Sequence, residues 1–416
     1  MRLLCANFQA RFAFPVLVFG FYSLILLVPD AYDVFGAALV IVSIAVIALI
    51  RPRLFSDLDR WFAFFLALYP LSFLPSLVAM GGIFRYLDYP IRCLLFIPLI
   101  MGLRGYADHK AFEKSLFLGA SAGGIGAGLF SLKGLLWDHV ERVGLPLTNP
   151  IPYGQIAAIL AILSLASLFI FDGFWRRCLA VIGFFGAIFA VYASGSAGAL
   201  FGLCLGLAFG VLVLLRSRLS RAHLYGLIGL SVVAAVIVMP LASSKLAQAL
   251  SDVHAFATGH GMGTSQGQRL ILWDISLREI AHSPWFGIGP GHFDGVMDRF
   301  CLSHVCTDDF HGFHGVHNQY LDSFMNGGIF ALVGLLASFL VPLGLFLRRS
   351  LCLVDGAPIA ATAGVAVIVA AMTSAITQVL YGHNISVISY FFTISFLWFV
   401  AVPSLDRSGL SHSLEE

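Results

Sequence analysis

Charged side chains are scarce in this chain. Asp, Glu, Lys and Arg make up 11% of its 416 residues, against about 25% in a soluble domain. That shortage excludes a water-soluble globular protein, which would have too little charge to cover its surface. The net charge of +2 gives no cationic footprint for a nucleic-acid partner. Cysteine is limited to seven residues, of which Cys5, Cys93, Cys178, Cys204 and Cys352 lie in or beside apolar runs. Only Cys301 and Cys306 lie in polar sequence. They form a disulfide if their segment faces an oxidising compartment, or remain two thiols. No Ala-x-Ala-like site follows the first apolar run, which therefore reads as a retained helix and not as a signal peptide. There is no internal repeat and no low-complexity tract.

What remains is strongly apolar, with 59% hydrophobic residues and a mean hydropathy of +0.92. Apolar runs near the length of about 20 residues that crosses a bilayer recur along the chain. They fall at 12–28, 34–50, 61–79, 90–103, 115–131, 154–171, 177–192, 197–215, 224–242, 319–347, 358–380 and 386–403. A helix satisfies its own backbone in lipid, so each run predicts a helix. With the N-terminus placed in the cytoplasm, sixteen of the 24 Lys and Arg fall on the cytoplasmic side, and the short outer loops are nearly free of cations. The positive-inside rule thus places both termini in the cytoplasm. The predicted fold is an all-α polytopic membrane protein with about twelve transmembrane helices and one large outer segment between helices 9 and 10. Helices 1–9 occupy 1–242, the outer segment 243–318, helices 10–12 the stretch 319–403, and a polar tail 404–416.

Chemistry is expected in the polar stretch from Lys245 to Asn326, which holds eight of the 13 His. Arg269 opens a run, Arg269–Ile280, whose apolar residues recur at helical spacing, which predicts an amphipathic helix along the membrane face. Its guanidinium suits phosphate oxygens; as the plainer alternative it anchors the helix among headgroups. Pro284-Trp285-Phe286-Gly287-Ile288-Gly289-Pro290-Gly291 predicts tight turns. His311, His314 and His317 are spaced by three, but Gly312 and Gly315 argue against a helix that would make them a metal set, and no metal site is expected. His317 sits where the chain re-enters the membrane, ahead of Asn318 and Asp322. There a His either serves as a general base or bonds to backbone as a loop residue. Arg92, at the outer start of the fourth run, is a cation at the membrane edge: a substrate contact or a snorkelling side chain. Asn149 and Tyr153 offer neutral hydrogen bonds at the start of the sixth run.

Taken in order, Arg269-x-x-x-Trp273, Pro284-x-x-Gly287-x-Gly289, His317-Asn318-x-Tyr320-Leu321 and Gly327-Gly328 resemble the O-antigen ligase/O-antigen polymerase family of bacterial membrane proteins. The resemblance covers most of the chain, and Asp88-Tyr89-Pro90-Ile91-Arg92 and Asn149-Pro150-x-x-Tyr153-Gly154 also look like family features. It implies a metal-independent enzyme of the bacterial inner membrane with a periplasmic active site and no cofactor. Such enzymes move a glycan from undecaprenyl diphosphate to an acceptor hydroxyl. By this resemblance His317 is the base and Arg269 holds the diphosphate. Arg92, Asn149, Tyr153, His314, Asn318 and Asp322 are the expected substrate-binding residues. One departure stands out. Members often carry a Ser-Arg-Gly-like turn between spans seven and eight, which here reads Ser194-Gly195-Ser196-Ala197-Gly198-Ala199. Ala197 stands where the Arg is expected, so Arg92 or another cation takes its place, or the donor is held differently.

The expected function is ligase-like transfer of a lipid-linked glycan to lipid A-core in lipopolysaccharide biosynthesis. A polymerase extending the glycan is the alternative, and differs only in acceptor. A transporter or flippase would show inverted repeats and broken helices with mid-membrane charge; no repeat is present, and the intramembrane polar residues cluster at outer helix ends.

Overall fold

A computed structural model describes residues 2–50, 56–104, 108–216, 221–258, 260, 263–303, 315–351 and 358–402. In chain order the helices are α1 (Arg2–Leu24), α2 (Ala31–Ile50), α3 (Asp57–Leu71), α4 (Leu74–Met80), α5 (Asp88–Arg92), α6 (Phe96–Arg104), α7 (His109–Leu136) and α8 (Pro150–Ile170). They continue as α9 (Phe174–Ser194), α10 (Ala197–Arg216), α11 (Arg221–Ala257), α12 (Ser265–His282), α13 (Phe293–Ser303), α14 (Gln319–Leu351), α15 (Pro358–Ser374) and α16 (Asn384–Ala401). Among the described residues nine helical stretches are long and apolar enough to cross a membrane, and Phe12–Leu24 and Ile359–Ser374 are shorter apolar helices. The chain is a multi-pass, all-helical membrane protein.

Four runs differ from the sequence expectation. The run at 224–242 is helical but does not stop there: α11 continues to Ala257. Its extension, from Lys245 through Leu250, is built of strong helix formers, so propensity carries the helix into polar sequence. The third run is broken between α3 and α4, and the fourth is assembled from α5, a short 3-10 turn and α6. The tenth is one long helix, α14, kinked at Gly328, whose φ is +66°.

Lipid gives apolar helices little reason to associate, so close packing must supply the contact, and small residues permit it. At the crossing of α7 and α9, a Cβ on Gly124 would lie 2.3 Å from the Gly183 carbonyl oxygen, and one on Gly128 2.7 Å from Gly186 Cα. At the opposite end from the polar segment, α3, α6 and α16 meet at a buried ion pair. Arg104 Nη2 lies 2.7 Å from Asp59 Oδ1, the Trp398 indole donates to the same oxygen at 2.8 Å, and Arg104 also donates to the Val402 carbonyl.

The polar segment has a small core of its own. Leu272, Ile275 and Ile280 of α12 pack with Phe293, Val296, Met297, Val316 and Met325. The turn between α12 and α13 locks this core onto α14. The Gly328 kink frees backbone groups that a buried helix cannot leave unpaired, and each has a partner. Ile329 N–H donates to the Pro284 carbonyl at 3.0 Å, Ile288 N–H donates to the Met325 carbonyl at 2.8 Å, and Ser76 donates to the Asn326 carbonyl at 3.0 Å. On its other side the turn receives the Ile83 amide at the Pro290 carbonyl, 2.8 Å away.

Candidate active site at one end of the bundle

His317 stands on a turn immediately before α14, and its backbone is left-handed with φ +53°. A non-glycine residue there costs on the order of 1–3 kcal/mol and persists only where its surroundings impose it. The surroundings are specific. Asn318 caps α14, its Oδ1 accepting from the amides of Tyr320 (3.0 Å) and Leu321 (3.1 Å). Asp322, one turn further on, is buried and accepts from the Tyr86 hydroxyl at 2.6 Å and from the Val316 amide. Asp322 thereby holds the peptide just before His317.

The loop at 375–383, between α15 and α16, closes over this turn. Buried Gln319 is the clasp: its amide donates to the Ala375 carbonyl at 2.8 Å, and its Oε1 accepts from the Tyr381 amide at 2.7 Å. The Tyr320 hydroxyl donates to the Met372 carbonyl at 2.9 Å. The loop therefore delivers Gln378 to His317, with Nδ1 2.7 Å from Gln378 Oε1. Gln378 Nε2 in turn lies 3.1 Å from His383 Nε2.

These residues line a cavity of about 550 Å³. Tyr69, Arg85, Tyr86, Tyr89, Asn149, Ile151, His317, Asp322, Gln378, Tyr381 and His383 all face it. That volume admits a sugar-sized group, and its lining is aromatic with a few polar groups, as small-molecule sites are.

Two guanidiniums stand near this chemistry. Arg269, in the first turns of α12, is bonded to Gln266 Oε1 at 3.2 Å. Arg142, on the loop between α7 and α8, donates through Nε to the Ser194 carbonyl at 3.0 Å. It lies along Gly195, on the turn where Ala197 replaces the expected Arg. Among the described residues neither meets a carboxylate within ion-pair distance. Burial lowers the pKa of both, and for Arg269 the charge of Arg142 lowers it further. Burial also lowers the His317 pKa below its ordinary value; the Gln378 hydrogen bond opposes that and the Arg269 charge adds to it. His317 is thus held neutral at neutral pH.

The structure brings together His317, Asn149, Asp322 and the Asn318 cap, with Arg269 near enough to weigh on His317. Asn149 also caps α8, accepting from the Ile151 amide at 2.9 Å. Arg269 and Asn318 are not among the residues lining the cavity, and two further predicted residues are engaged away from it. The Tyr153 hydroxyl bonds to Ser131 and the Ala127 carbonyl, joining α8 to α7. Arg92 is paired with Asp88 at 2.8 Å and lies over the Tyr89 ring. His311, His314 and Cys306 lie outside the described residues; Cys301 is disulfide-bonded. Sequence reasoning missed Gln378, His383, Tyr86, Arg85 and Arg142. Arg85 and Arg142 carried a signal, as cations on the cation-poor outer side.

Fold and site together define a multi-pass membrane protein that keeps a neutral His at one end of its bundle, with two Arg that meet no carboxylate among the described residues. Residues 182–336 match the family model described as O-Antigen ligase. That stretch runs from within α9 to the kinked part of α14 and includes Arg269, the Pro284–Gly291 turn and His317. The resemblance to the O-antigen ligase family therefore extends over the segment that carries Arg269, the Pro284–Gly291 turn and His317. A Haemophilus influenzae protein described as "Uncharacterized protein" is 25% identical over 345 residues, spanning 81% of this chain and 86% of its own. Arg142, Gln378 and His383 all lie outside the segment matched by the family model.

Proposed function

We propose that this protein is a metal-independent glycosyltransferase that moves a glycan from undecaprenyl diphosphate to a hydroxyl of a lipid A-core acceptor, at the periplasmic face of the inner membrane. The observation that carries the reading is the pair Arg142 and Arg269, an exposed and a partly buried guanidinium that act on each other, have no carboxylate partner among the described residues, and through Arg269 stand near His317 at a sugar-sized cavity. Like charges held near each other repel, and an anion between them relieves the repulsion. A diphosphate presents several oxygens to two planar forks, the pairing that guanidinium geometry favours.

In the reaction the acceptor hydroxyl gives its proton to His317 as its oxygen attacks the anomeric carbon. The new C–O bond forms as the bond from that carbon to the diphosphate oxygen breaks. The electron pair leaves with undecaprenyl diphosphate, and Arg142 and Arg269 stabilise the charge as it develops. Attack opposite the leaving group inverts the anomeric centre. The imidazolium then releases its proton to water or to the departing diphosphate. Both substrates reach the cavity laterally on their own lipids, so their orientation is fixed by binding.

The test is in vitro transfer by the purified protein with a lipid-linked glycan, offered lipid A-core, with chelator present. Glycan on lipid A-core, lost in His317→Ala and Arg269→Ala and indifferent to chelator, supports the reading. Lengthening of the lipid-linked glycan with lipid A-core untouched would make it a polymerase. Full activity of His317→Ala would remove the base assignment for either acceptor.

A further inference from the structure

We propose that Gln378 and His383 are positioning residues that set the tautomer of His317, so that Nε2 is the nitrogen that takes the acceptor proton. The proposal deepens the glycosyl-transfer reading above and rests on it. The argument is one of donors and acceptors along the chain His317–Gln378–His383. A carboxamide oxygen can only accept, so the 2.7 Å contact to Gln378 Oε1 makes His317 Nδ1 the donor. In a neutral imidazole the other nitrogen, Nε2, is then the basic one. A carboxamide nitrogen can only donate, so the 3.1 Å contact from Gln378 Nε2 makes His383 Nε2 the acceptor. The carboxamide thus couples the two imidazoles: His317 protonated at Nδ1 goes with His383 unprotonated at Nε2.

The placement of Gln378 supports a dedicated role. Gln378 is buried, and its loop is pinned on both sides of it by Gln319, through the Ala375 carbonyl and the Tyr381 amide. A neutral partner suits this site better than a carboxylate. A carboxylate would draw a proton onto His317 and occupy it before the acceptor arrives. It would also repel an anionic donor held by Arg142 and Arg269. When His317 takes the proton, its Nδ1–H stays on Gln378 Oε1 and the bond becomes charge-assisted.

The other charged or titratable groups around His317 leave this assignment in place. Arg269 on α12 opposes protonation. Asp322 on α14 is engaged by the Tyr86 hydroxyl and the Val316 amide. Tyr69 on α3, Arg85 and Tyr89 ahead of α6, and Tyr381 on the 375–383 loop complete the lining. Burial and the nearby His317 both lower the pKa of His383, which keeps one of its ring nitrogens unprotonated at neutral pH.

The experiment compares wild type, Gln378→Glu and Gln378→Met as full-length protein in nanodiscs. Transfer is measured against pH, and carbethoxylation of His317 by diethyl pyrocarbonate is followed by peptide mass spectrometry over the same range. Gln378→Glu keeps the acceptor for Nδ1 but adds charge, so the acid limb of both profiles should move up by about one pH unit. Gln378→Met removes the acceptor without adding charge, so kcat should fall about tenfold, with the limb moved downward and the donor KM unchanged. A purely structural role would lower yield or Tm but leave the limb unshifted in Gln378→Glu. An unshifted limb in both measurements with active wild type would overturn the hydrogen-bond chain and leave glycosyl transfer standing. Wild type inactive toward both acceptors would overturn the glycosyl-transfer reading and, with it, the role of His317 Nε2. If Gln378→Met fails to fold, the near-isosteric Gln378→Glu carries the test.

Discussion

Ile329 donates its amide to the carbonyl of Pro284 across 3.0 Å, and that bond exists only because α14 is kinked one residue earlier. Gly328 is the enabling residue: its φ is +66°, and a Cβ there would lie 2.0 Å from the Trp285 carbonyl oxygen. The Pro284–Gly291 turn is thereby a dock that sets α12, with Arg269, against α14, with His317 just before its first residue. Gly328→Ala should destabilise the protein by more than about 2 kcal/mol, through the disfavoured backbone and the clash together. The expected readout is a lowered Tm and loss of transfer. An unchanged Tm would mean that the dock does not hold α12.

The two guanidiniums give a graded expectation. Losing one preorganised donor to a developing anion costs roughly 100-fold or more in rate. Arg269→Ala and Arg142→Ala should each lose transfer on that scale, and the double variant should lose less than the product of the two, since both serve one diphosphate. Arg269→Lys should recover only part, because a point charge does not replace a planar fork. Arg92→Ala, removing a cation already paired with Asp88, should leave transfer within a few-fold of wild type. A large loss in Arg92→Ala together with a small loss in Arg142→Ala would reverse the assignment.

The helical runs and the membrane class were legible because hydropathy is a local property of the sequence, and motif order singled out His317 and Arg269 as candidates. The partners of His317 were not. Gln378 and His383 sit in a short apolar-flanked loop 61 and 66 residues downstream, and nothing local marks them; only the Gln319 clasp brings them to the site. Arg142 and Ala197 are separated by most of α8 and α9, so the cation lying on the arginine-less turn can be seen only in the packed bundle. Tyr153, by contrast, looked like a polar contact at a helix start. It is spent on Ser131 and the Ala127 carbonyl because α8 packs that face against α7. The extension of α11 and the kink of α14 were missed for opposite reasons. Propensity prolonged one helix past its apolar run, and a tertiary contact bent the other within its run.

The pH dependence of the site follows from the depressed His317. Burial and Arg269 both disfavour the imidazolium, so the acid limb of transfer should lie below the ordinary His value of about 6.5. Arg269→Gln removes one of these causes and should move the limb upward, beyond lowering the rate. The same shift bears on stability. The unfolded chain takes up the proton before the folded one does, so the contribution is intact above the ordinary value and is lost as pH falls from there through the depressed folded value. His317→Ala should therefore show a flatter Tm against pH over that window than wild type, and parallel curves for the two proteins would contradict it.

At the far end of the bundle Asp59, Arg104 and Trp398 form a structural cluster that takes no part in the chemistry. Removing one member of a buried ion pair strands the other, at a cost of about 3–5 kcal/mol, while replacing both with apolar residues is often neutral. Asp59→Leu should accordingly lower Tm sharply, because among the described residues it leaves the buried Arg104 guanidinium with the Val402 carbonyl and the Phe399 ring but no carboxylate, and it removes the acceptor of the Trp398 indole. Asp59→Leu combined with Arg104→Leu should recover much of the loss. In both variants the specific activity of the folded fraction should match wild type, since the cluster and the cavity share no residue. Activity falling in step with Asp59→Leu even in the folded fraction would mean that the two ends of the bundle are coupled through α3 and α16, which both reach from this cluster toward the cavity.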